Sequence, residues 1–195
     1  YKEGKAKTVD NIDFTKRVAN GPTDRGFDYF YGLTSPSGPP HLYMVNDMAE
    51  KQPNTRFEES GGGLYKIKGG IGHSDWSADG MQPHLADKML EYLDENKDSD
   101  KPFFLYMALT APHIPLFPSK EFKGKSKIGD YGDLVMMIDD IVGRVNRKLK
   151  EIGKYDNTIV MFAADNGCAG YINMDRINRK GHYPSYIYRG YKSHG

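Results

Sequence analysis

The residues best suited to chemistry form one short stretch, Asp165-Asn166-Gly167. It follows Thr158 to Phe162, whose β-branched, apolar and aromatic side chains show no polar alternation, which is typical of a strand buried on both faces of a parallel sheet. Open α/β sheets bind ligands at the carboxyl ends of such strands. A carboxylate beside an amide oxygen, with a glycine that permits a tight turn, indicates a Ca²⁺ or Mg²⁺ corner. A strand-ending Asx turn is the alternative.

His113 is the second candidate. It follows another apolar run, Phe103 to Leu109, which predicts a second buried strand. Because a helix is expected between the two strands, a parallel crossover would place both carboxyl ends on one edge of the sheet, with His113 near Asp165. A proton carrier beside a metal corner is a hydrolytic arrangement. A half-buried histidine that hydrogen-bonds to the backbone is the alternative.

Two other side chains have both a functional and a plain interpretation. Lys192 lies near a glycine turn, where a compact cation could neutralise an anionic oxygen, although a surface lysine looks the same in sequence. Cys168 is the only cysteine, so the chain has no internal disulfide and no cysteine-based zinc site. Nothing beside it in the sequence indicates an activated nucleophile.

The elements that must position these residues are also readable. Apolar residues at helical spacing predict one helix from Gln82 to near Lys97 and a second from Tyr131 to Ile152, with Gly153 as its cap. A short strand is predicted from His41 to Val45, and residues 46–80 read as a long excursion loop. The overall pattern is strand, helix, strand in an α/β arrangement.

Composition excludes several classes of function. The 195 residues suffice for one domain, and 27 basic against 26 acidic residues give no field that favours nucleic acid or an anionic membrane. The longest apolar run, Phe103 to Leu109, is far shorter than the roughly 20 residues needed to cross a bilayer. We therefore expect neither a nucleic-acid nor a membrane partner.

Five motifs, in their order and spacing, resemble the type I sulfatases, the arylsulfatase-like group of the alkaline phosphatase superfamily. The motifs are Gly21 to Gly32, Lys101 to Pro115, Gly129 to Gly143, Asp165 to Gly167 and Tyr188 to Lys192. The resemblance implies an alkaline-phosphatase-like α/β sandwich with a mostly parallel sheet flanked by helices. It also implies a periplasmic or secreted protein.

The resemblance assigns roles to the candidate residues. It implies hydrolysis of sulfate monoesters, on a small molecule or a glycan, by a hydrated formylglycine nucleophile beside one Ca²⁺. Asp165 and Asn166 match two calcium ligands, His113 matches the histidine that contacts sulfate and helps the leaving group, and Lys192 matches the lysine that binds sulfate oxygens. The neutral amide oxygen of Asn166 suits Ca²⁺, whereas phosphodiesterase relatives place a histidine there that suits Zn²⁺ or Mn²⁺.

The chain departs from the family in what it lacks. The nucleophile motif, Cys or Ser followed by X-Pro-X-Arg, does not occur in the sequence, and neither does the upstream Asp-Asp pair or the Gly-Lys-Trp-His-Leu-Gly motif. We therefore expect residues 1–195 to be part of a catalytic domain, without the nucleophile segment and the C-terminal part, and inactive alone. An incomplete sheet exposes backbone and apolar surface, so we also expect self-association.

Two other functions remain open. One is a metal-dependent phosphatase or phosphodiesterase of the same superfamily, which Asn166 disfavours. The other is a non-catalytic carbohydrate-binding module, based on Trp76 and the tyrosines from Tyr171 to Tyr191. Residues 46–80 and the segment around His182 are the candidate specificity loops.

Overall fold

The protein combines small antiparallel sheets with two long packed helices. The computed structural model describes residues 2, 4, 8–35 and 37–193. The strands are β1 (Tyr31–Leu33), β2 (Tyr43–Val45), β3 (Met48–Ala49), β4 (Thr55–Phe57) and β5 (Gly70–Gly72). The helices are α1 (Met81–Glu95), α2 (Asp130–Glu151) and α3 (Met174–Asn178). Short 3₁₀ turns lie at Val9–Asn11, Pro22–Arg25, Gly63–Tyr65 and Tyr155–Asn157.

The mixed α/β class is confirmed, but the mostly parallel sheet is not what these strands form. β1, β2 and β3 make an antiparallel sheet in which Gly32 pairs with Met44, and β4 and β5 make an antiparallel pair. A parallel bridge between His41 and Gly72 joins the two sheets. The excursion loop is therefore more ordered than predicted, because antiparallel pairs need only short turns and leave a weak signal in sequence.

The two segments predicted as buried strands differ from that prediction in their exposure and pairing. Phe103 to Leu109 alternates: Phe103, Leu105, Met107 and Leu109 pack on the helical core, while Phe104 is 74% exposed. Residues 159–167 are exposed throughout, with Phe162 at 70%. Within the described part of the chain, neither segment belongs to a strand ladder. The apolar composition predicted that both faces of each segment would be buried, but composition does not specify which other segments pack on those faces.

The two long helices are confirmed within about two residues of the predicted ends. α1 and α2 pack together along a seam in which Ala86, Met137 and Ile141 are buried in one cluster, and Leu93 and Leu149 in another. Each helix thus buries the apolar stripe that predicted it. Of the helices in the described residues, none is long and apolar enough to cross a membrane.

α2 ends in the way its sequence predicts. Gly153 adopts a φ of 70°, the left-handed region that favours glycine. Its N–H donates to the Lys150 carbonyl at 3.1 Å, and the Lys154 N–H donates to the Leu149 carbonyl at 2.9 Å. This pair of bonds is the Schellman motif, which satisfies carbonyls that the helix end would otherwise leave unpaired.

The start of α2 is fixed by a buried carboxylate. Asp133 has no exposed surface, and its two oxygens accept the backbone N–H groups of Gly124 at 2.7 Å and Ser126 at 2.6 Å. The loop before the helix therefore folds back onto the first turn. Gly132 allows this close approach, since a Cβ there would overlap the Ser126 hydroxyl and the Ile128 side chain.

We expect Gly132→Ala to destabilise the protein by about 1–3 kcal/mol, because the added methyl group has no space. Gly143→Ala in the same helix is the matched control. Its Cβ would meet only the flexible end of Arg147, so improved helix propensity should stabilise the protein by up to about 1 kcal/mol. Urea unfolding of both variants tests the pair, and equal shifts in the same direction would contradict the packing described.

A second buried polar group lies between the sheets. His41 is 2% exposed, and its Nε2 lies 2.7 Å from the Lys68 carbonyl oxygen, to which it donates. Its ring contacts Trp76 and Phe57, with centroids 4.4 and 5.1 Å away. Burial lowers the pKa of His41 below its usual 6.5, because a protonated ring at this position would hold its positive charge away from water.

Stability should therefore fall in mild acid. Between pH about 6.5 and the lowered pKa of folded His41, the unfolded chain binds a proton that the folded chain does not, which costs up to about 1.4 kcal/mol per pH unit. His84, whose pKa burial also lowers, should contribute in the same direction. Urea midpoints at pH 7.5 and 5.5 should differ less in His41→Gln than in the native protein. An unchanged difference would show that His41 is not held neutral.

Candidate active site

The four predicted site residues line one open cavity. Its volume is about 2240 Å³, and its walls come from residues 99–113, 157–172 and 184–192, with apolar side chains of α2 between them. His113, Asp165, Asn166 and Lys192 are all in this lining. The predicted common sheet edge is absent from the described residues, and what the four residues share is the lining of one wide cavity. Their catalytic and metal-binding roles remain predictions.

His113 is held by a rigid turn but keeps an exposed ring. Its backbone N–H donates to the Thr110 carbonyl at 3.1 Å. Its Nδ1 lies 2.6 Å from the Ile114 carbonyl oxygen, and because a carbonyl can only accept, Nδ1 carries the hydrogen. The Nε2 atom is thus the one left for an external partner. The backbone hydrogen bond of the plain interpretation is present, but the side chain is exposed and not half-buried.

Asp165 and Asn166 form an exposed polar turn. The Asn166 amide N–H donates to the Gly167 carbonyl at 3.0 Å, which leaves its Oδ1 as an acceptor for another group. Both side chains are exposed. Over the part of the chain that the structure describes, no three His, Cys, Asp or Glu side chains come close enough to hold a metal ion. The turn therefore offers two hard oxygen donors, a minority of the six to eight that Ca²⁺ takes.

Lys192 is brought to this turn by its backbone. Its N–H donates to the Cys168 carbonyl at 3.0 Å, and a parallel bridge pairs Lys192 with Ala169. Gly167 lies against the same segment, because a Cβ there would be 3.0 Å from the Tyr191 Cα. Sequence reasoning missed this pairing, since a bridge between distant backbone segments leaves no pattern of residue types.

The aromatic residues of the carbohydrate interpretation divide into two groups. Trp76 is 6% exposed and packs against Phe57 and His41, so it belongs to the core and cannot contact a glycan. Tyr186 and Tyr188 are 80% and 77% exposed and line the cavity. Trp76 is therefore excluded as a carbohydrate-binding residue, whereas the exposed tyrosines remain candidates.

One element near the cavity was missed. α3 lies in a region that shows no period in sequence, but Asn173 caps it by accepting the Arg176 N–H at 3.0 Å. An Asn ahead of a short polar-apolar run was the available signal. Ile177 on this helix and Ile172 before it are buried in the same apolar cluster as Leu134 and Met137 of α2, so α3 is anchored to the helical core.

Comparison with known proteins identifies the family of the chain. The family model described as Sulfatase matches residues 7–191, which is nearly the whole chain. The chain belongs to the sulfatase family. Two curated sulfatases illustrate the match. An N-acetylgalactosamine-6-O-sulfatase of Bacteroides thetaiotaomicron is 33% identical over 120 residues, which cover 60% of this chain and 23% of the relative. The human N-acetylgalactosamine-6-sulfatase is 48% identical over 68 residues, or 35% of this chain and 13% of that one.

A solved structure shows the same sulfatase fold. A protein from a Bacteroides thetaiotaomicron locus for the metabolism of multiple glycosaminoglycans superposes with a TM-score of 0.74 at 26% identity. The superposition covers 92% of this chain and 45% of the other. The chain thus spans less than half of that sulfatase, and its matches span less than a quarter of the two curated relatives.

Gly167 should control the distance between the Asp165–Asn166 turn and Lys192. In Gly167→Ala the new methyl group meets backbone at Tyr191, so the Lys192 segment must move away and its hydrogen bond to Cys168 weakens. We expect the Lys192 amide to exchange its hydrogen roughly tenfold faster, as measured by NMR. Gly170→Ala is the control, since its Cβ would lie 3.1 Å from a side-chain atom of Tyr191 and not against the Tyr191 backbone. Equal exchange in all three proteins would refute the contact.

Proposed function

We propose that this chain forms part of the catalytic domain of a calcium-dependent sulfatase that hydrolyses sulfate esters of sugars. The observation that supports this most directly is the shared cavity of His113, Asp165, Asn166 and Lys192 in a chain that matches the sulfatase family over residues 7–191. The same proposal includes a periplasmic or secreted location, for which the family resemblance is the only support.

His113 is proposed to move the proton of the reaction. Its Nδ1–H is committed to the Ile114 carbonyl, so Nε2 is the atom that can contact the ester oxygen. When sulfate leaves, negative charge develops on that oxygen. The His113 imidazolium, which carries a hydrogen on both nitrogens, can give the Nε2 proton to this oxygen and is left as the neutral ring with its hydrogen on Nδ1. Lys192 is proposed to bind the sulfate oxygens, because a compact ammonium group pairs with an oxyanion as a point charge.

Asp165 and Asn166 are proposed as two ligands of the calcium ion. The donor set fits, since a carboxylate and a neutral amide oxygen are both hard ligands and the Asn166 Oδ1 is not used by its own amide hydrogen bond. When bound, Ca²⁺ supplies positive charge that stabilises the sulfate oxygens. The remaining ligands and the formylglycine nucleophile are proposed to come from polypeptide beyond these 195 residues.

The two exposed apolar segments, 103–109 and 159–162, are consistent with the same proposal. Phe103 to Leu109 covers the helices with one face and exposes alternate apolar side chains on the other, and residues 159–162 expose both faces. Such segments normally gain ladder partners in a sheet. We propose that they are strands of a larger, mostly parallel sheet in the longer protein, and that the separate chain self-associates through them.

A sugar sulfate is favoured as the substrate over a simple aryl sulfate. The two curated relatives described above act, by their names, on N-acetylgalactosamine 6-sulfate. Tyr186 and Tyr188 expose aromatic rings in the cavity lining, and such rings pack well against the apolar faces of sugar rings. The phosphatase alternative is disfavoured by Asn166, where a zinc site would use histidine.

Turnover of N-acetylgalactosamine 6-sulfate and of an aryl phosphate, each with Ca²⁺ and with chelator, tests the function. In the longer protein that contains this chain, His113→Ala and Lys192→Ala should each lower kcat for the sulfate by roughly 10²- to 10⁴-fold. Lys120→Ala, at an exposed position outside the cavity lining, should have no effect. The 195-residue chain alone should be inactive.

Two outcomes would contradict the proposal. Zinc-dependent phosphate turnover would assign the protein to the phosphatase class. Calcium-dependent sulfate turnover that survives both substitutions would keep the activity but remove His113 and Lys192 from the site.

A further inference from the structure

We propose that Gln82 is a positioning residue for His113. It is the second residue of α1 and is 2% exposed, so a polar amide is buried where the helix packs against the core. Buried amides are costly unless their hydrogen bonds are satisfied. The partners of this amide lie in the segment that carries His113, and this is what gives it a role beyond packing.

The amide of Gln82 holds the base of the His113 turn. The orientation that satisfies its neighbours turns the oxygen toward the turn, where it accepts the backbone N–H groups of Ala111 at 3.0 Å and Thr110 at 3.2 Å. The Thr110 hydroxyl also donates to this oxygen. One side chain therefore satisfies three donors on two consecutive residues.

The effect passes from this base to the imidazole. The Thr110 carbonyl accepts the His113 N–H at 3.1 Å, and His113 then donates from Nδ1 to the Ile114 carbonyl at 2.6 Å. Gln82, Thr110, Ala111 and His113 also line one small pocket of about 10 Å³, so the amide and the turn that carries His113 lie side by side. A displaced Thr110 carbonyl would move the His113 backbone and break the bond that fixes the ring tautomer.

The chemical consequence concerns which nitrogen faces the substrate. With Nδ1–H committed to a carbonyl, Nε2 is the atom that exchanges a proton with an external group. Without Gln82 the ring would rotate and exchange tautomers, so part of the population would offer the wrong nitrogen. This inference rests on the proposed function for its catalytic meaning, but the geometry of the ring can be measured without activity.

The test is the tautomer of His113 in the 195-residue chain. Histidine labelled with ¹⁵N gives separate ring signals for the six histidines, and His113→Gln identifies its own. Above pH 7 the native protein should show Nδ1 protonated and Nε2 free. Gln82→Met, which matches the shape without the acceptor, should lose this signature and show averaged signals. Gln82→Glu, which keeps an oxygen in place, should restore it.

Controls separate positioning from general instability. Gln52→Met makes the same change at an exposed glutamine and should leave the His113 signals unchanged. Far-UV circular dichroism checks that α1 and α2 remain folded. If Gln82→Met does not fold, Gln82→Glu decides alone, and loss of the Nδ1–H tautomer in that folded variant overturns the proposal. So does a native His113 signature in folded Gln82→Met.

Activity then distinguishes this inference from the proposed function. In the longer protein, Gln82→Met should lower kcat for the sulfate ester by roughly 10- to 100-fold with little change in KM, and Gln82→Glu should recover most of it. If the native protein has no sulfatase activity but Gln82→Met still loses the tautomer, the positioning role stands and the proposed function fails. If the native protein is active and Gln82→Met has the same kcat, Gln82 does not position His113 for catalysis.

Discussion

The packing of α1 against α2 is the constraint on which the rest of the structure depends. The apolar seam between the helices creates the surface on which Phe103, Leu105, Met107 and Leu109 pack. The same seam brings the N-terminal turn of α1 to the segment that carries His113. Ion pairs at its edge, such as Arg144 with Asp87 and Lys148 with Asp94 at 3.5 Å, join half-buried basic residues to exposed carboxylates and contribute little by comparison.

The helical core fixes the positions of some site residues more firmly than those of others. His113 stands on a segment packed against buried helices, so its place is fixed by the core. Asp165 and Asn166 stand on an exposed segment, and their link to Lys192 is a short backbone bridge. The His113 side of the cavity is therefore held by packing on the helical core, whereas the Asp165–Lys192 side is held by a few backbone hydrogen bonds. A bound ligand would have to order more of the polypeptide on the Asp165–Lys192 side.

The sequence was sufficient for the features that depend on local periodicity and on residue chemistry. The apolar stripe of α2 and the glycine after it predicted a helix and a cap that the structure contains. Features that depend on distant backbone were beyond it. Neither the antiparallel sheets of residues 31–72 nor the bridge at Lys192 has a distinctive residue pattern. The apolar runs at 103–109 and 158–162 indicate that these segments should be buried, but they do not indicate which part of the polypeptide packs on them. The Gln82 amide was equally hidden, since a glutamine in a first helical turn is most often solvated.

The buried Asp133 carboxylate also limits how the chain can vary in length. The loop before α2 contains Lys120, Lys123, Lys125 and Lys127, and by composition it resembles a surface loop that tolerates change. Yet the carboxylate binds the N–H groups of Gly124 and Ser126, which fixes how many residues separate that loop from the helix. The exposed lysines other than Lys123, which pairs with Asp130 at 2.7 Å, can be substituted at little cost. One inserted or deleted residue between Gly124 and Asp133, in contrast, would leave the buried carboxylate without its donors.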